Sequence, residues 1–329
     1  MKQISSLVLF FCLLMPVILC AQYDAPENSA WAFGKGAGLI FNNGVATAIT
    51  TNQNGGISTT SNGIEANASV ADNNGNLLFY SNGTAVWDRA HNLMPGSTAG
   101  LHGQGVLQDQ WTGSATQGAL IVPVPDSAGK YYLFSLTGLD SPHDPYRVGR
   151  LYYSVIDMRL NNGMGDVVPG RSWITLDSLL SEKMIGVRGN CNNVWLLVHA
   201  RDTNAFKAYE ITHSGISRTP VYSYNGTFGH HPFTTNGITQ NAYHSIGEMK
   251  VSPDRKKLVA CWGLGGNFAA LYDFDVETGR VTNELMLHNG RSFYGAAFSP
   301  DNSKVYVADG QNIWQYNLSV SNIPATRIV

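Results

Sequence analysis

The sequence predicts an all-β chain built from repeated small sheets, and three observations predict it. Gly is abundant at 35 of 329 residues, accompanied by 15 Tyr, 13 Phe and 7 Trp. Short runs of alternating apolar and polar residues are separated by Gly, Pro, Asn and Asp, while stretches rich in Ala, Glu, Lys and Leu are scarce. One turn-and-strand unit recurs at a fixed interval, the mark of a repeat architecture.

Composition excludes several classes. A hydrophobic fraction of 43% is enough for a core and rules out a wholly disordered chain. Charged residues make up 13%, about half the usual quarter. Lys and Arg total 21 against 23 Asp and Glu, a net charge of −2 with no long run of either sign. That removes the electrostatic footprint of a nucleic-acid binder, so no nucleic-acid partner is expected.

In chain order, Lys2 followed by the apolar run Leu7 to Cys20 has the n-region and h-region of a secretory signal peptide. Residues 1–21 are expected to be removed, leaving Gln22 first and the protein secreted or on the outer cell surface. The alternative is an outer-membrane lipoprotein through Cys20, where bulky Leu19 fits poorly. No later stretch reaches 18 apolar residues, so no transmembrane segment is expected. Residues 22–329 are expected to form one domain.

Within that domain Asp72-Asn73-Asn74-Gly75 precedes the strand-like Leu77 to Tyr80, then Val86-Trp87. Pro125 to Gly129 precedes Tyr131 to Phe134, and Leu151 to Asp157 follows after a long loop. Asn192-Asn193 precedes Val194 to Val198, and Phe206 to Ile211 follows. The clearest copies are Val251-Ser252-Pro253-Asp254 through Val259 and, 47 residues on, Phe298-Ser299-Pro300-Asp301 through Tyr306. Pro fixes φ in each turn and Asp caps it. Leu271 to Val276 and Ile313 to Leu318 then alternate as half-buried strands. Five copies at spacings of about 45 to 65 residues predict a β-propeller of four-stranded blades, WD40/YVTN-like, seven-bladed and incomplete in this chain.

The domain resembles the secreted surface β-propellers of gliding-type bacteria, a group that often carries a gliding-motility or type IX secretion C-terminal sorting domain. The matching stretches are Trp31 to Gly34 with Ala37 to Phe41, Asp72 to Tyr80 through Val86 to Asp88, and Thr116 to Pro123. Tyr131 to Phe134, Tyr153 to Met158, Glu182 to Met184, Met249 to Asp254, Asp273 to Asp275, and Tyr294 to Asp301 continue the series. The resemblance implies a fold and an extracellular address. No sorting domain precedes Val329, so further blades and a tail are expected beyond this sequence.

Two cysteines remain after the leader, Cys191 and Cys261, and their placement at opposite ends of equivalent strands favours buried thiols over a bridge. Chemical motifs fail inspection. Gly34-Lys35-Gly36-Ala37-Gly38 lacks the spacing and βαβ context of a dinucleotide loop. Asp72 to Asn76 has its Gly at the fourth position rather than the sixth, and Gly83 at the twelfth, so it reads as a hairpin turn rather than a calcium loop. No cofactor is expected, weak structural calcium apart. There is no Gly-x-Ser-x-Gly or His-Glu-x-x-His, and no metal set. Carboxylate pairs for glycoside chemistry exist as Asp273 with Asp275 and Glu65 with Asp72; the first recurs as Gln315 and Asn317, a structural pattern.

Blade strands spend their apolar residues on neighbouring blades, so recognition has to come from connections. The longest are Asp88 to Gly118, Gly138 to Arg150 and Tyr222 to Gly247. They carry Trp111, Tyr146, His230, His231, Phe233, Tyr243 and His244, residue types suited to stacking on sugars or anchoring a partner. The expected function is therefore a non-enzymatic binding or adhesion module for an extracellular polysaccharide or protein. The alternative is a propeller hydrolase or lyase on polysaccharide, which would gather inward carboxylates or histidines from several blades.

Overall fold

The computed structural model describes residues 26–33, 36–42, 44–51, 65–98, 115–138, 149–226, 233–235, 238–240, 246–263 and 267–329. Among them the chain makes six small sheets in succession, with every strand pair antiparallel. The first sheet holds β1 (Ala30–Phe33), β2 (Ala37–Asn42) and β3 (Val45–Thr50). The second holds β4 (Ala68–Ala71), β5 (Leu77–Ser81) and β6 (Val86–Asp88). The third runs β7 (Ala119–Pro123), β8 (Lys130–Leu136) and β9 (Leu151–Asp157), with β10 (Asp166–Val167) and β11 (Ile174–Asp177) both on β9.

The fourth sheet runs β12 (Leu180–Arg188), β13 (Val194–Ala200) and β14 (Ala205–Thr212), with β15 (Gly215–Ile216) and β16 (Val221–Tyr224) both on β14. A separate hairpin pairs β17 (Phe233–Thr235) with β18 (Ile238–Gln240). The fifth sheet is β19 (Met249–Val251), β20 (Lys257–Trp262), β21 (Phe268–Asp275) and β22 (Arg280–Asn289). The sixth is β23 (Phe293–Phe298), β24 (Lys304–Asp309) and β25 (Ile313–Asn317).

The repeated turn folds the same way twice. Ser252 Oγ donates to Asp254 and accepts the Lys257 N–H at 2.9 Å; Ser299 Oγ donates to Asp301 and accepts the Lys304 N–H at 2.9 Å. Arg255 and Asn302 hold matching left-handed φ values of 61° and 60°. The side-chain oxygens satisfy turn amides that would otherwise face water alone.

The apolar runs are two-faced, and this builds the stack. In β13, Leu196 and Val198 pack on the third sheet, while Trp195 and Leu197 pack on the fifth. In β20, Leu258, Ala260 and Trp262 face the fourth sheet, and Val259 and Cys261 face the sixth. Burying each large side chain stabilises by roughly 1.5–3 kcal/mol, so a sheet with two apolar faces requires two neighbours. The core is accordingly a series of layers between consecutive sheets. The first strand of each sheet lies against the first strand of the next, from β1 through β4, β7, β12 and β19 to β23.

Two expectations change. Four strands per sheet holds for the fifth sheet, whereas the third and fourth gain a fifth strand and the others show three among the described residues. In the sixth sheet Ile328 makes a single bridge to Gln315 where a fourth strand would lie. Cys191 is exposed rather than buried, because it sits in the turn between β12 and β13, beside Asn192 at positive φ; Cys261 is buried, and both are free thiols. The leader, residues 1–21, lies outside the described residues. Among the described residues no helix is long and apolar enough to cross a membrane.

Candidate functional site

One end of the sheets collects the connections. In the third sheet Ala119 lies opposite Ser135 and Leu136 opposite Leu151, so the chain before β7 and the connection from β8 to β9 share an end. In the fourth, Leu180 opposes Ala200 and Ala205 opposes Tyr224, so the chain also leaves β16 there. The Leu180 N–H donates to the Gly149 carbonyl and the Gln117 N–H to the Glu182 carbonyl, which sets the two ends side by side.

At this end polar side chains tie sheet to sheet. Glu182 Oε2 accepts the Thr116 N–H and the Thr116 hydroxyl, each at 2.9 Å. Gln117 accepts from the Met249 N–H at 2.9 Å and donates to the Met249 carbonyl at 3.0 Å. The Gly247 N–H donates to Thr116 Oγ1 at 3.3 Å. Gly247 has φ 115°, and a Cβ there would meet the Cys261 carbonyl at 2.6 Å, so only glycine permits the close approach. Glu248 accepts the Ala296 N–H at 3.1 Å, and the Tyr294 hydroxyl donates to Glu65. Burial and that carboxylate together push the Tyr294 phenol above its usual range.

Directly beneath lies Lys183, fully buried. Its Nζ donates to the Ile246 carbonyl at 3.3 Å and sits 5.0 Å from the centre of the Trp262 ring. Burial, partly offset by Cys261 and Glu182, brings the ammonium down to about 7. The His199 ring meets Phe206 and Trp262 edge-on at 4.8 and 5.6 Å, and burial, reinforced by Lys183, lowers it to about 3. Burial raises the Cys261 thiol to about 12.

Chemically, the carboxylates at this end are acceptors for backbone amides and hydroxyls of the adjoining sheets. Among the described residues no three His, Cys, Asp or Glu side chains are placed to hold a metal. Of the sequence-derived residues, Trp111, Tyr146, His230, His231, Tyr243 and His244 lie outside the described residues. Phe233 opens β17, whose backbone register sets it opposite Gln240. The pair Asp273 and Asp275 is structural: Asp273 pairs with Lys257 and accepts from Asn283, while Asp275 caps the turn at Glu277 and Thr278. Glu65 and Asp72 flank β4, about 20 Å apart along an extended chain, and Asp72 holds its own turn through Asn74 and Asn76. Thr116, Gln117, Glu182, Lys183, Glu248 and Tyr294 went unrecognised as a group. The available signal was polar residues recurring just before or within the first strand of successive repeats.

No known family and no curated protein matches the sequence. Solved structures are similar at low identity. A candidate 6-phosphogluconolactonase from Bacteroides fragilis is 13% identical with a TM-score of 0.46, over 88% of this chain and 77% of that one. KlHsv2 carrying a Gly-Ser linker in place of its loop 6CD is 10% identical at 0.41, over 90% and 80%. A luciferin-regenerating enzyme is 13% identical at 0.32, over 62% of this chain and only 59% of its own length. These scores are too low for shared activity to follow.

Proposed function

We infer that this protein is an exported binding module whose stacked sheets are blades of a propeller, and that it recognises an extracellular polysaccharide or protein through connections at one end. The observation that carries this reading is convergence. The residues that follow 99–114, 139–148 and 227–245, the segments that hold the sequence-derived aromatic and histidine residues, meet through Thr116, Gly149, Leu180, Glu182 and Gly247. The carboxylates between them are engaged in ties, which supports binding over acid–base chemistry. The leader and the surface resemblance support export, in keeping with a gliding or type IX setting.

Deleting residues 228–241 from the full chain should abolish binding on an array of immobilised bacterial and plant polysaccharides while the melting temperature holds. Normal binding by the deletion variant would remove this surface from consideration. The hydrolase or lyase reading is favoured by one observation, three carboxylates (Glu65, Glu182, Glu248) drawn to the same end from different parts of the chain. Release of reducing ends from those polysaccharides, lost in Glu248→Gln, would establish it instead.

A further inference from the structure

In the middle of the series, β16 of the fourth sheet carries two aromatic rings that neither neighbouring sheet covers. Val221 and Ser223 turn towards the fifth sheet, where Val221 joins the apolar layer and Ser223 Oγ accepts the Val281 N–H at 3.0 Å. Alternation points Tyr222 and Tyr224 the other way. That is the side of the third sheet, because Lys207 opposes Tyr222 in register and its ammonium reaches Asp177 of β11 at 2.8 Å. The places on both sides of the fourth sheet are thus filled, yet Tyr222 is 44% and Tyr224 67% exposed.

The rings are held in place. Their planes lie within 9° of parallel, with centres 6.0 Å apart. Lys207 Nζ sits 5.9 Å from the centre of the Tyr222 ring and is itself fixed by Asp177, which also accepts the Tyr209 hydroxyl at 2.6 Å. Beyond Tyr224 the chain is tied down twice: Asn204 Nδ2 donates to the Gly226 carbonyl at 2.8 Å, and Asn225 Nδ2 donates to the Val281 carbonyl. A ligand that meets these rings therefore loses little free energy in ordering them.

The surroundings decide the chemistry. Lys207, beside the rings, is paired with Asp177 and both side chains are mostly buried, so together they offer a ligand no net charge. Asn204 and Asn225 frame the end of the strip, which is apolar only over the two rings. A stable protein interface takes about 1,000 Å² around an apolar centre, far more than two rings present. A pyranose matches: its apolar C–H face suits the negative face of an aromatic ring, and its hydroxyl rim suits the tyrosine hydroxyls.

We propose that Tyr222 and Tyr224 form a stacking platform for an uncharged polysaccharide of hexopyranose units, separate from residues 227–245. The platform rests on the reading of this protein as a polysaccharide binder and narrows it to uncharged chains.

Isothermal titration calorimetry on the full chain tests this with hexasaccharides of cellulose, laminarin, mannan and chitin, and with hexagalacturonate. At least one uncharged hexasaccharide should bind, with a Kd that is the same in low and high salt. Tyr222→Ala and Tyr224→Ala should each weaken it about tenfold, while Tyr224→Phe keeps most of the affinity. Circular dichroism and melting control for folding; should Tyr222→Ala fail them, the more exposed Tyr224 decides alone. Binding lost on deletion of 228–241 but unchanged in the alanine variants would overturn the platform and leave the polysaccharide reading standing. Tighter binding of hexagalacturonate, or no binding of any uncharged sugar, would also overturn it. If the alanine variants instead lose binding to periodate-treated surface protein, the rings serve a protein partner and the proposal falls.

Discussion

Glu182 grips Thr116 twice, accepting both its N–H and its hydroxyl at 2.9 Å, although the two residues are 66 positions apart. The buried carboxylate of the fourth sheet thus fixes the chain just before the third. Glu182→Ala should cost about 3 kcal/mol in urea unfolding, because the Thr116 amide and hydroxyl lose a buried acceptor. Thr116→Val should cost about 1 kcal/mol, since the amide contact survives. Equal effects from the two substitutions would show that the hydroxyl, not the carboxylate pair of bonds, carries the tie.

Lys183 makes stability depend on pH in a definite direction. Its folded value, about 7, lies below the ordinary 10.5, so the unfolded chain holds more protons between those limits. This contribution makes the wild type gain stability as pH rises from about 7 towards 10. Lys183→Met removes it, so the variant's advantage over wild type in melting temperature should be largest at or below pH 7 and shrink by pH 10. An advantage constant with pH would mean the lysine titrates alike in both states.

The two thiols should separate cleanly. Cys191 is exposed in a turn and should react with a disulfide reagent in the native protein. Cys261 is buried with its thiol raised to about 12, and should react only as the protein unfolds. Two equivalents of fast labelling in native buffer would contradict this.

Asp157 supplies part of the acid limb. Arg159 binds its carboxylate at 2.6 Å, and that hydrogen bond lowers it from 3.8 to about 2. The stabilisation is therefore present above pH 3.8 and lost as pH falls towards 2. Asp157→Asn should be less stable than wild type at pH 6 and approach it near pH 2, followed by circular dichroism.

Export is testable at the first residue. N-terminal sequencing of protein recovered from outside the cell should begin at Gln22; a chain that starts at Met1 would exclude cleavage.

Much of the layered fold was legible in the sequence. The two Ser-Pro-Asp turns occupy equivalent places because Ser, Pro and Asp act within five residues of one another, through contacts the local chain alone can make. In the strand Val194–Ala200 side chains point alternately by geometry, so Trp195 and Leu196 fall on opposite faces of an unbroken apolar run. Both faces being apolar required a neighbour on each side. The sequence could not say which backbone amide would meet Glu182, or that Lys183 would be closed over by Trp262 and Ile246. Those contacts join segments more than sixty residues apart, and strand periodicity sets the face of a residue without setting its partner. Tertiary packing alone turned recurring polar residues at the strand starts into ties between sheets.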